Sequence, residues 1–328
     1  MTGIGAPSAA RASSDTWYQT YQTDTPGNFT EIAATSQNDI WAVGLSYTKA
    51  GNLIYRPFIR HFNGHLWQVI SIPDSSSFVS TDVSASAANN VWVSGQVHSS
   101  TATTAVYRWN GTHWARIPVP ATTELAGITA LAPNNVWAYV ASGPRSFETA
   151  HWTGSTWKYF LTPSNFFPQD ISASGPGNVW LAGYSFSGKK QVLVAYRWSG
   201  TAWDRVNMPH PVIGNGGEGV TAVSPSNVWI GWSDSTTSYA LHWNGHQWDT
   251  VAIPNPADSG NIVPDGTGGY WFGAQEILTG TTWTTMEVPA FAGASGLVTR
   301  IPGTTSFLMP AGVVIHGSIE PTVFRFDL

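Results

Sequence analysis

The stretch NNVWVSGQVHSSTATTAVYRWNGTHWARIPVP, residues 89–120, contains two tryptophan-centred signals that recur along the chain. The first signal is an Asn-Val-Trp unit followed by small or apolar residues. Its six copies are centred on Trp41, Trp92, Trp137, Trp180, Trp229 and Trp271. Self-similarity at a spacing of about 45 residues is typical of repeat proteins, whose units bury their apolar faces against each other.

The second signal is an aromatic hairpin that follows each copy of the first. In every copy a tryptophan stands six residues before a proline, in the pairs Trp67/Pro73, Trp114/Pro120, Trp157/Pro163, Trp203/Pro209, Trp248/Pro254 and Trp283/Pro289. Short β-branched and aromatic segments bounded by Asn-Asn or Asn-Gly indicate strands joined by hairpins. Each repeat therefore predicts four antiparallel strands, which make one blade of a β-propeller.

The C-terminal residues indicate a seventh, incomplete blade. GLVTRIPGTTSFLMPAG (296–312) repeats the first two strands, with Phe307 in place of the tryptophan, and TVFRFDL (322–328) repeats the third. We predict that DTWYQTYQT (15–23) supplies the fourth strand, because closing the ring in this way leaves no bare sheet edge. The expected fold is an all-β, seven-bladed β-propeller over residues 15–328, with six blades as the alternative because the sixth repeat is short.

Residues 1–14 are small and polar, and SAARASS (8–14) is similar to the cleavage region of a secretory signal. They are either the remnant of such a signal or a flexible tail. The low content of charged residues and the 18 tryptophans favour an extracellular, secreted protein.

Composition excludes several classes of function. Charged residues make up 10% of the chain and the net charge is −5, so no basic surface is expected to bind nucleic acid. The absence of cysteine excludes disulfides, thiolate metal sites and cysteine nucleophiles. No run reaches the roughly 18 apolar residues of a membrane helix, so we expect no membrane insertion.

The alternation of the two signals resembles the NDVWAVG … HWNGTxW repeats of secreted bacterial propeller proteins, which are lectin-like. The likeness covers residues 15–328. The chain lacks the Gly-His and Trp-Asp pairs of Trp-Asp repeats, the Gly-Gly doublets of kelch repeats and the boxes of sialidases. The resemblance implies a secreted propeller but no particular activity, because one fold carries many functions.

Functional residues are expected where the blades differ. Ten residues before the first tryptophan, or before Phe307 in the last blade, the seven blades carry Glu31, Asp82, Gly127, Asp170, Gly219, Asn261 and Leu297. This position is predicted to line the mouth of the axial channel, with the glycines leaving room. The polar members would receive sugar hydroxyls, supply an acid/base pair or hold Ca²⁺ at Glu31, Asp82 and Asp170. In the structural alternative, each carboxylate caps backbone N–H groups of the next blade.

A second variable set lies just past the tryptophans. Its members are Tyr47, His98, Arg145, Tyr184, Lys189, Trp232, Asp234, Gln275, Glu276 and His316. The long glycine-rich loop 207–220 adds His210 and Glu218. By contrast, His61, His151 and His242 recur at one repeat position, which Arg108, Arg197 and Arg325 occupy elsewhere, so they are interpreted as structural.

The sequence favours a ligand-binding propeller that recognises a glycan or another small polar ligand at the channel mouth. The predicted ligand contacts are Glu31, Asp82, Asp170, Asn261, Tyr184, Trp232, Gln275, His98, His210 and Glu218. No catalytic residue and no cofactor are assigned, apart from the Ca²⁺ alternative. Two other classes stay open: a polysaccharide lyase or glycoside hydrolase with one central site, and a protein-interaction scaffold.

Overall fold

The structure is a computed structural model. It describes residues 16–48, 52–73, 77–98, 103–120, 124–141, 147–208, 216–233, 238–253, 261–273, 276–289 and 297–328. The predicted tail, residues 1–14, lies outside these ranges. None of the described residues forms a helix, and accordingly no helix among them is long and apolar enough to cross a membrane.

Seven four-stranded antiparallel sheets are present, and we number their strands β1 to β28 in chain order. Blade 1 consists of β2 (Gly27–Ser36), β3 (Asp39–Tyr47), β4 (Leu53–Phe62) and β5 (Trp67–Val69). Blade 2 consists of β6 (Phe78–Ala87), β7 (Asn90–Val97), β8 (Thr103–Trp109) and β9 (Trp114–Ile117). Blade 3 consists of β10 (Glu124–Ala132), β11 (Asn135–Ala141), β12 (Phe147–Trp152) and β13 (Trp157–Leu161).

Blade 4 consists of β14 (Phe166–Gly175), β15 (Asn178–Ser187), β16 (Lys190–Trp198) and β17 (Trp203–Val206). Blade 5 consists of β18 (Gly216–Ser224), β19 (Asn227–Ser233), β20 (Ser238–Trp243) and β21 (Trp248–Ile253). Blade 6 consists of β22 (Ile262–Pro264), β23 (Tyr270–Phe272), β24 (Glu276–Thr279) and β25 (Thr282–Thr285). Blade 7 consists of β26 (Thr299–Arg300), β27 (Ser306–Ile315), β28 (Ser318–Asp327) and β1 (Tyr18–Gln22). The prediction of a seven-bladed β-propeller is confirmed.

The last blade is closed by the N-terminal strand, as the sequence predicted. β1 pairs antiparallel with β28 and completes the sheet β1-β28-β27-β26. Trp17 packs against Phe326 with ring centroids 5.6 Å apart, and the Tyr18 hydroxyl donates to Asp327 Oδ2 at 2.6 Å. The edge of β28 is therefore paired and cannot recruit a strand from another chain.

The chain divides into two compact units. One holds blades 1, 2 and 7 together with the turn 265–268, and the other holds blades 3, 4, 5 and 6. That residues 15–328 act as a single domain stays a prediction.

A repeated side-chain network explains the first tryptophan signal. In blades 1 to 5 the indole N–H donates to the Asp or Asn two residues earlier, at 2.8 to 3.1 Å. The same side-chain oxygen is within hydrogen-bond distance of His61, His151 or His242 Nε2, at 2.7, 2.9 and 3.1 Å respectively. Each histidine also stacks on its tryptophan, with centroids 3.9 to 4.2 Å apart. The tryptophans are core residues, and these histidines are structural, as predicted.

The network sets the protonation of its members. Burial lowers the pKa of His151, and the positive charge of Lys158 lowers it further. Burial also lowers the pKa of His242, against the attraction of Asp249. Burial works to raise the pKa of Asp39, but hydrogen bonds from His61, Thr35 and Trp41 hold it below its ordinary value.

Blade 7 departs from the repeat in its register. Thr299 pairs with Leu308, nine residues on, whereas Ser84 of blade 2 pairs with Trp92, eight residues on. Leu308 also pairs with Arg325, as Trp92 pairs with Arg108. The prediction that Phe307 takes the tryptophan position is therefore wrong. The hairpin between β26 and β27 is one residue longer, which brings Leu308 to that position and turns Phe307 to the other face of the sheet.

Candidate functional site

The predicted mouth residue Asp170 uses both carboxylate oxygens within the fold. Oδ1 accepts a hydrogen bond from the Ile171 N–H at 2.7 Å, and Oδ2 accepts one from the Val220 N–H of blade 5 at 2.8 Å. A Cβ on Gly219 would lie 3.0 Å from Asp170 Oδ2. Asp170 therefore caps a backbone N–H of the next blade, as in the structural alternative, and Gly219 provides the clearance for its carboxylate.

The room left by Gly127 is also used for packing. A Cβ at Gly127 would lie 2.6 Å from Cε1 of Tyr139, so the tyrosine ring occupies that space. The Tyr139 hydroxyl donates to the Gln169 carbonyl of blade 4 at 2.6 Å. At this point the glycine accommodates a neighbouring side chain of the protein rather than leaving the mouth open.

The remaining mouth residues are half-buried. Glu31, Asp82 and Asp170 each follow directly after a β-bulge of the inner strand, a distortion that re-aims side chains and often borders functional sites. The backbone carbonyl of Asn261 accepts a hydrogen bond from the Gly273 N–H at 2.9 Å. Within the described ranges no three His, Asp or Glu side chains are grouped so as to hold a metal ion, and the Ca²⁺ alternative gains no support from them.

The described members of the second predicted set have different surroundings. Tyr184 stacks on Phe167 with centroids 5.2 Å apart, and Phe186 packs edge-on against both rings. Trp232 is only 4% exposed and belongs to the core shared by blades 4 and 5. His98 is half-buried, and its backbone N–H donates to the Ser77 carbonyl at 2.9 Å. His210, Gln275 and the side chain of Glu218 lie outside the described part of the chain.

A cavity that the sequence did not predict lies between blades 4 and 5. It has a volume of about 940 Å³. We call it the 4/5 cleft, and its lining is Gly177, Trp180, Arg197, Trp198, Ser199, Gly200, Asp204, Arg205, Val206, Asn207, Met208, Trp243, His246, Gln247 and Trp248. The cleft is lined by residues of the β16–β17 and β20–β21 hairpins, and Asp170 is not among its lining residues.

Tryptophans form the floor of the 4/5 cleft. Trp180 of blade 4 packs against Trp243 and Trp248 of blade 5, with centroids 6.1 and 5.9 Å apart. The indole N–H groups of Trp243 and Trp248 are buried and have no hydrogen-bond partner among the described residues. An unpaired buried donor is costly, and a hydroxyl oxygen that reached it would recover part of that cost.

Polar side chains form the rim of the cleft. Arg197 lies over the Trp180 ring, 5.9 Å from its centroid. The exposed rim residues are Ser199, Asp204, Arg205, Asn207, His246 and Gln247. Their charges are mixed and their hydrogen-bonding groups both donate and accept, so the rim suits a neutral polar ligand better than a highly charged one.

One repeat position differs between the interface of blades 3 and 4 and that of blades 4 and 5. Phe160, three residues after Trp157, packs against Trp137 and Trp198 between blades 3 and 4, with centroids 6.0 and 4.6 Å apart. The equivalent residue of blade 4, three after Trp203, is Val206, which lines the cleft. The other repeats carry Ile70, Ile117, Val251 and Met286 at this position, so aligning the repeats marks Phe160 as the exception and does not by itself predict the cleft.

No family model matches the chain, and no curated protein matches its sequence. Among solved structures it is similar to YCF48 bound to D1 peptide, with a TM-score of 0.61 and 14% identity over 99% of this chain and 98% of that chain. It is similar to YCF48 from Cyanidioschyzon merolae, with a TM-score of 0.60 and 14% identity over 95% of this chain and 99% of that chain. It is also similar to the SapL1 lectin in complex with α-methyl fucoside, with a TM-score of 0.50 and 12% identity over 82% of this chain and 99% of that chain. At these identities the likeness shows a common fold, and function has to be argued from the site.

Proposed function

We propose that the protein is a carbohydrate-binding propeller and that its sugar site is the 4/5 cleft. The observation that carries the proposal is the cavity of about 940 Å³ with a tryptophan floor and a polar rim. Ligand sites are typically concave and mostly apolar, with a few placed polar groups. An indole face packs against the apolar face of a sugar ring, while rim groups such as Asn207 and Gln247 take its hydroxyls.

Two further observations support a sugar as the ligand class. The unpaired indole N–H groups of Trp243 and Trp248 are donors that a hydroxyl oxygen would satisfy after a small adjustment of the wall. The chain also shares its fold with a lectin solved with α-methyl fucoside. Neither observation identifies the sugar, so the ligand is proposed by class alone.

We prefer the 4/5 cleft to the channel mouth as the sugar site because two of the mouth positions take part in contacts within the fold. Asp170 caps backbone N–H groups, and Tyr139 fills the space above Gly127. Glycan contacts by Glu31, Asp82 or Asn261 stay a prediction, as does a Ca²⁺ requirement. A loss of sugar binding in a chelator, restored by Ca²⁺, would support that requirement.

Binding is favoured over glycoside hydrolysis by the charges of the cleft. Most glycoside hydrolases use two carboxyl groups that flank the scissile bond. Among the described residues that line the cleft, Asp204 is the single carboxylate. We also propose that the protein acts outside the cell, which its detection in culture medium rather than in the cell fraction would support.

The test is a screen of methyl glycosides, including α-methyl fucoside, and of polysaccharides, measured for both retention and product release. The wild-type chain is expected to retain a sugar without releasing products. Val206→Phe, which installs the ring of Phe160, should abolish retention. Val69→Phe is the matched control, because Val69 is 72% exposed on the outer strand of blade 1. New reducing ends or unsaturated products would support the enzyme instead, and unchanged retention by Val206→Phe would place the site elsewhere.

A further inference from the structure

A second cavity, of about 460 Å³, lies at blade 7 in the unit that holds blades 1, 2 and 7. Its lining includes Arg300, Arg325, Gly266, Thr305 and Ser306. No aspartate or glutamate is among the described residues that line it. We propose that this cavity binds an oxyanion, meaning a carboxylate, sulfate or phosphate group, through Arg300 and Arg325.

Arg300 stands where the repeat otherwise has alanine. It follows Thr299, which pairs with Leu308 at the tryptophan position. The residues at the same register position in blades 1 to 5 are Ala34, Ala85, Ala130, Ala173 and Ala222. Packing therefore requires only a small side chain at this position, so the fold itself does not account for an arginine.

The guanidinium of Arg300 is held in place without being neutralised. Its Nε donates to the Thr304 carbonyl at 2.7 Å. A Cβ on Gly266 would lie 2.0 Å from Nη2 and 2.2 Å from Cζ, so the guanidinium packs directly on this glycine. Arg300 forms no ion pair with any carboxylate in the ranges that the structure describes. Its terminal N–H groups have no hydrogen-bond partner within the described ranges.

Arg325 is positioned differently from its counterparts in the other blades. Leu308 stands opposite it, so Arg325 has no indole to lie over, in contrast to Arg108 on Trp92. Its Nη2 donates to Ser306 Oγ and its Nε to Asp327 Oδ1, both at 2.9 Å. The Arg325–Asp327 pair is balanced in charge, whereas no carboxylate among the described lining residues pairs with Arg300.

Asp327 stays ionised beside the cavity. Burial works to raise its pKa, but hydrogen bonds from Ser306, Tyr18 and Arg325 hold it below its ordinary value. Asp327 thereby fixes Arg325 while the Nη1 group of that arginine remains without a protein partner among the described residues.

The geometry suits an anionic group with two or more oxygens. A guanidinium presents parallel N–H donors that match a carboxylate, sulfate or phosphate. A water molecule takes up about 30 Å³ of liquid volume, so the cavity has room for an oxyanion attached to a larger small molecule. This site uses other residues than the 4/5 cleft and does not depend on the sugar proposal.

The test uses the full chain and follows thermal unfolding in sodium sulfate, sodium phosphate or sodium acetate, each against sodium chloride at equal ionic strength. A ligand that binds the native state raises Tm with a saturating dependence on its concentration. We expect at least one of these anions to do so, and the ranking of sulfate, phosphate and acetate separates tetrahedral from planar groups. Arg300→Ala, which restores the alanine of five other blades, should weaken the apparent Kd at least tenfold.

Arg116→Ala is the control, because Arg116 is an exposed arginine on β9, outside the cavity lining. This variant should keep the saturating rise. Arg300→Lys keeps the positive charge but loses the parallel N–H donors of the guanidinium. Its anion affinity is expected to lie between those of the wild type and Arg300→Ala. If Arg300→Ala does not fold, Arg300→Gln removes the charge at similar length and must show the same loss. Equal responses of the Arg300 and Arg116 variants, or no rise beyond that in chloride, would overturn the proposal.

Discussion

The space between blades 3 and 4 is filled by aromatic rings, whereas the space between blades 4 and 5 contains the 4/5 cleft. Trp137 and Trp180 hold equivalent positions in the two interfaces, and both are buried. Phe160 closes the first interface, while Val206 leaves the second open. Blade 3 therefore adds an aromatic ring beside its central tryptophan, whereas the equivalent residue of blade 4 lines a cavity.

The two interfaces also differ in the hydrogen bonding of their outer-strand tryptophans. The Trp203 indole N–H donates to Thr149 Oγ1 of blade 3 at 2.8 Å. The equivalent indole N–H of Trp248 has no hydrogen-bond partner in the described part of the chain, and the blade 4 residue aligned with Thr149 is Ala195. At the interface of blades 4 and 5 the side chain is smaller than Phe160 and the hydroxyl of Thr149 has no counterpart.

The largest expected effect comes from removing the central tryptophans. Trp137→Ala should lower the free energy of unfolding by about 3–5 kcal/mol, because it creates a cavity among Phe160, Trp198 and Trp203. Trp180→Ala should fall at the lower end of this range, since its surroundings are already open on one side. Denaturant unfolding measures both, and a larger loss for Trp180→Ala would contradict the comparison.

Opening the filled interface should have a smaller effect. Phe160→Val should cost about 1–2 kcal/mol, because the half-buried ring loses part of its apolar contact. The reverse change, Val206→Phe, should stay within about 1 kcal/mol of the wild type, since it fills existing space. If Val206→Phe costs as much as Phe160→Val in the same unfolding assay, the cleft is not simply an unfilled space.

Two variants remove the Thr149 hydroxyl from one interface and introduce the equivalent hydroxyl at the other. Thr149→Ala leaves the Trp203 indole without its acceptor and should destabilise by about 1–2 kcal/mol. Ala195→Thr offers Trp248 an acceptor and should stabilise by about 0.5–1 kcal/mol. Thermal unfolding of the two variants measures these changes. Destabilisation by both would mean that Ala195 is too tightly packed to carry a hydroxyl.

The smallest expected effect is a difference in pH dependence. Blade 3 stacks His151 on Trp137, whereas blade 4 places Arg197 over Trp180. Burial and Lys158 lower the pKa of His151 from its ordinary 6.5, so the unfolded chain binds more protons just below that pH. Stability should therefore fall as the pH drops from about 7 to about 5. Unfolding free energies at both pH values measure this slope, which His151→Arg should reduce; an unchanged slope would exclude His151 as a contributor.

The fold could be predicted from the sequence because the regular spacing of the tryptophans follows from the packing that each blade requires. Trp92 and its equivalents, and the pairing of β1 with β28, follow from residues that every blade needs. The tryptophan position in blade 7 was misplaced because one extra residue in a hairpin moves Leu308 into register in place of Phe307. A register shift of one residue cannot be recognised in a repeat that has no tryptophan to mark the position.

The site was harder to predict because its residues depend on their neighbours. Gly127 and Gly219 provide clearance for Tyr139 and Asp170, and these partners lie twelve or more residues away along the chain. The difference between Phe160 and Val206 is readable in aligned repeats. Whether a smaller side chain leaves a cavity depends on how the surrounding rings pack, which the sequence alone does not state.

The most direct test of the account is a titration followed by the indole N–H signals of Trp203, Trp243 and Trp248 in a proton–nitrogen correlation spectrum. The ligand is the methyl glycoside that the screen retains, and the signals are assigned by single Trp→Phe variants. The account predicts saturable shifts for Trp243 and Trp248 and none for Trp203, whose N–H is already bonded to Thr149. Sugar binding that leaves Trp243 and Trp248 unmoved, or that shifts Trp203 equally, would contradict a sugar site in the 4/5 cleft.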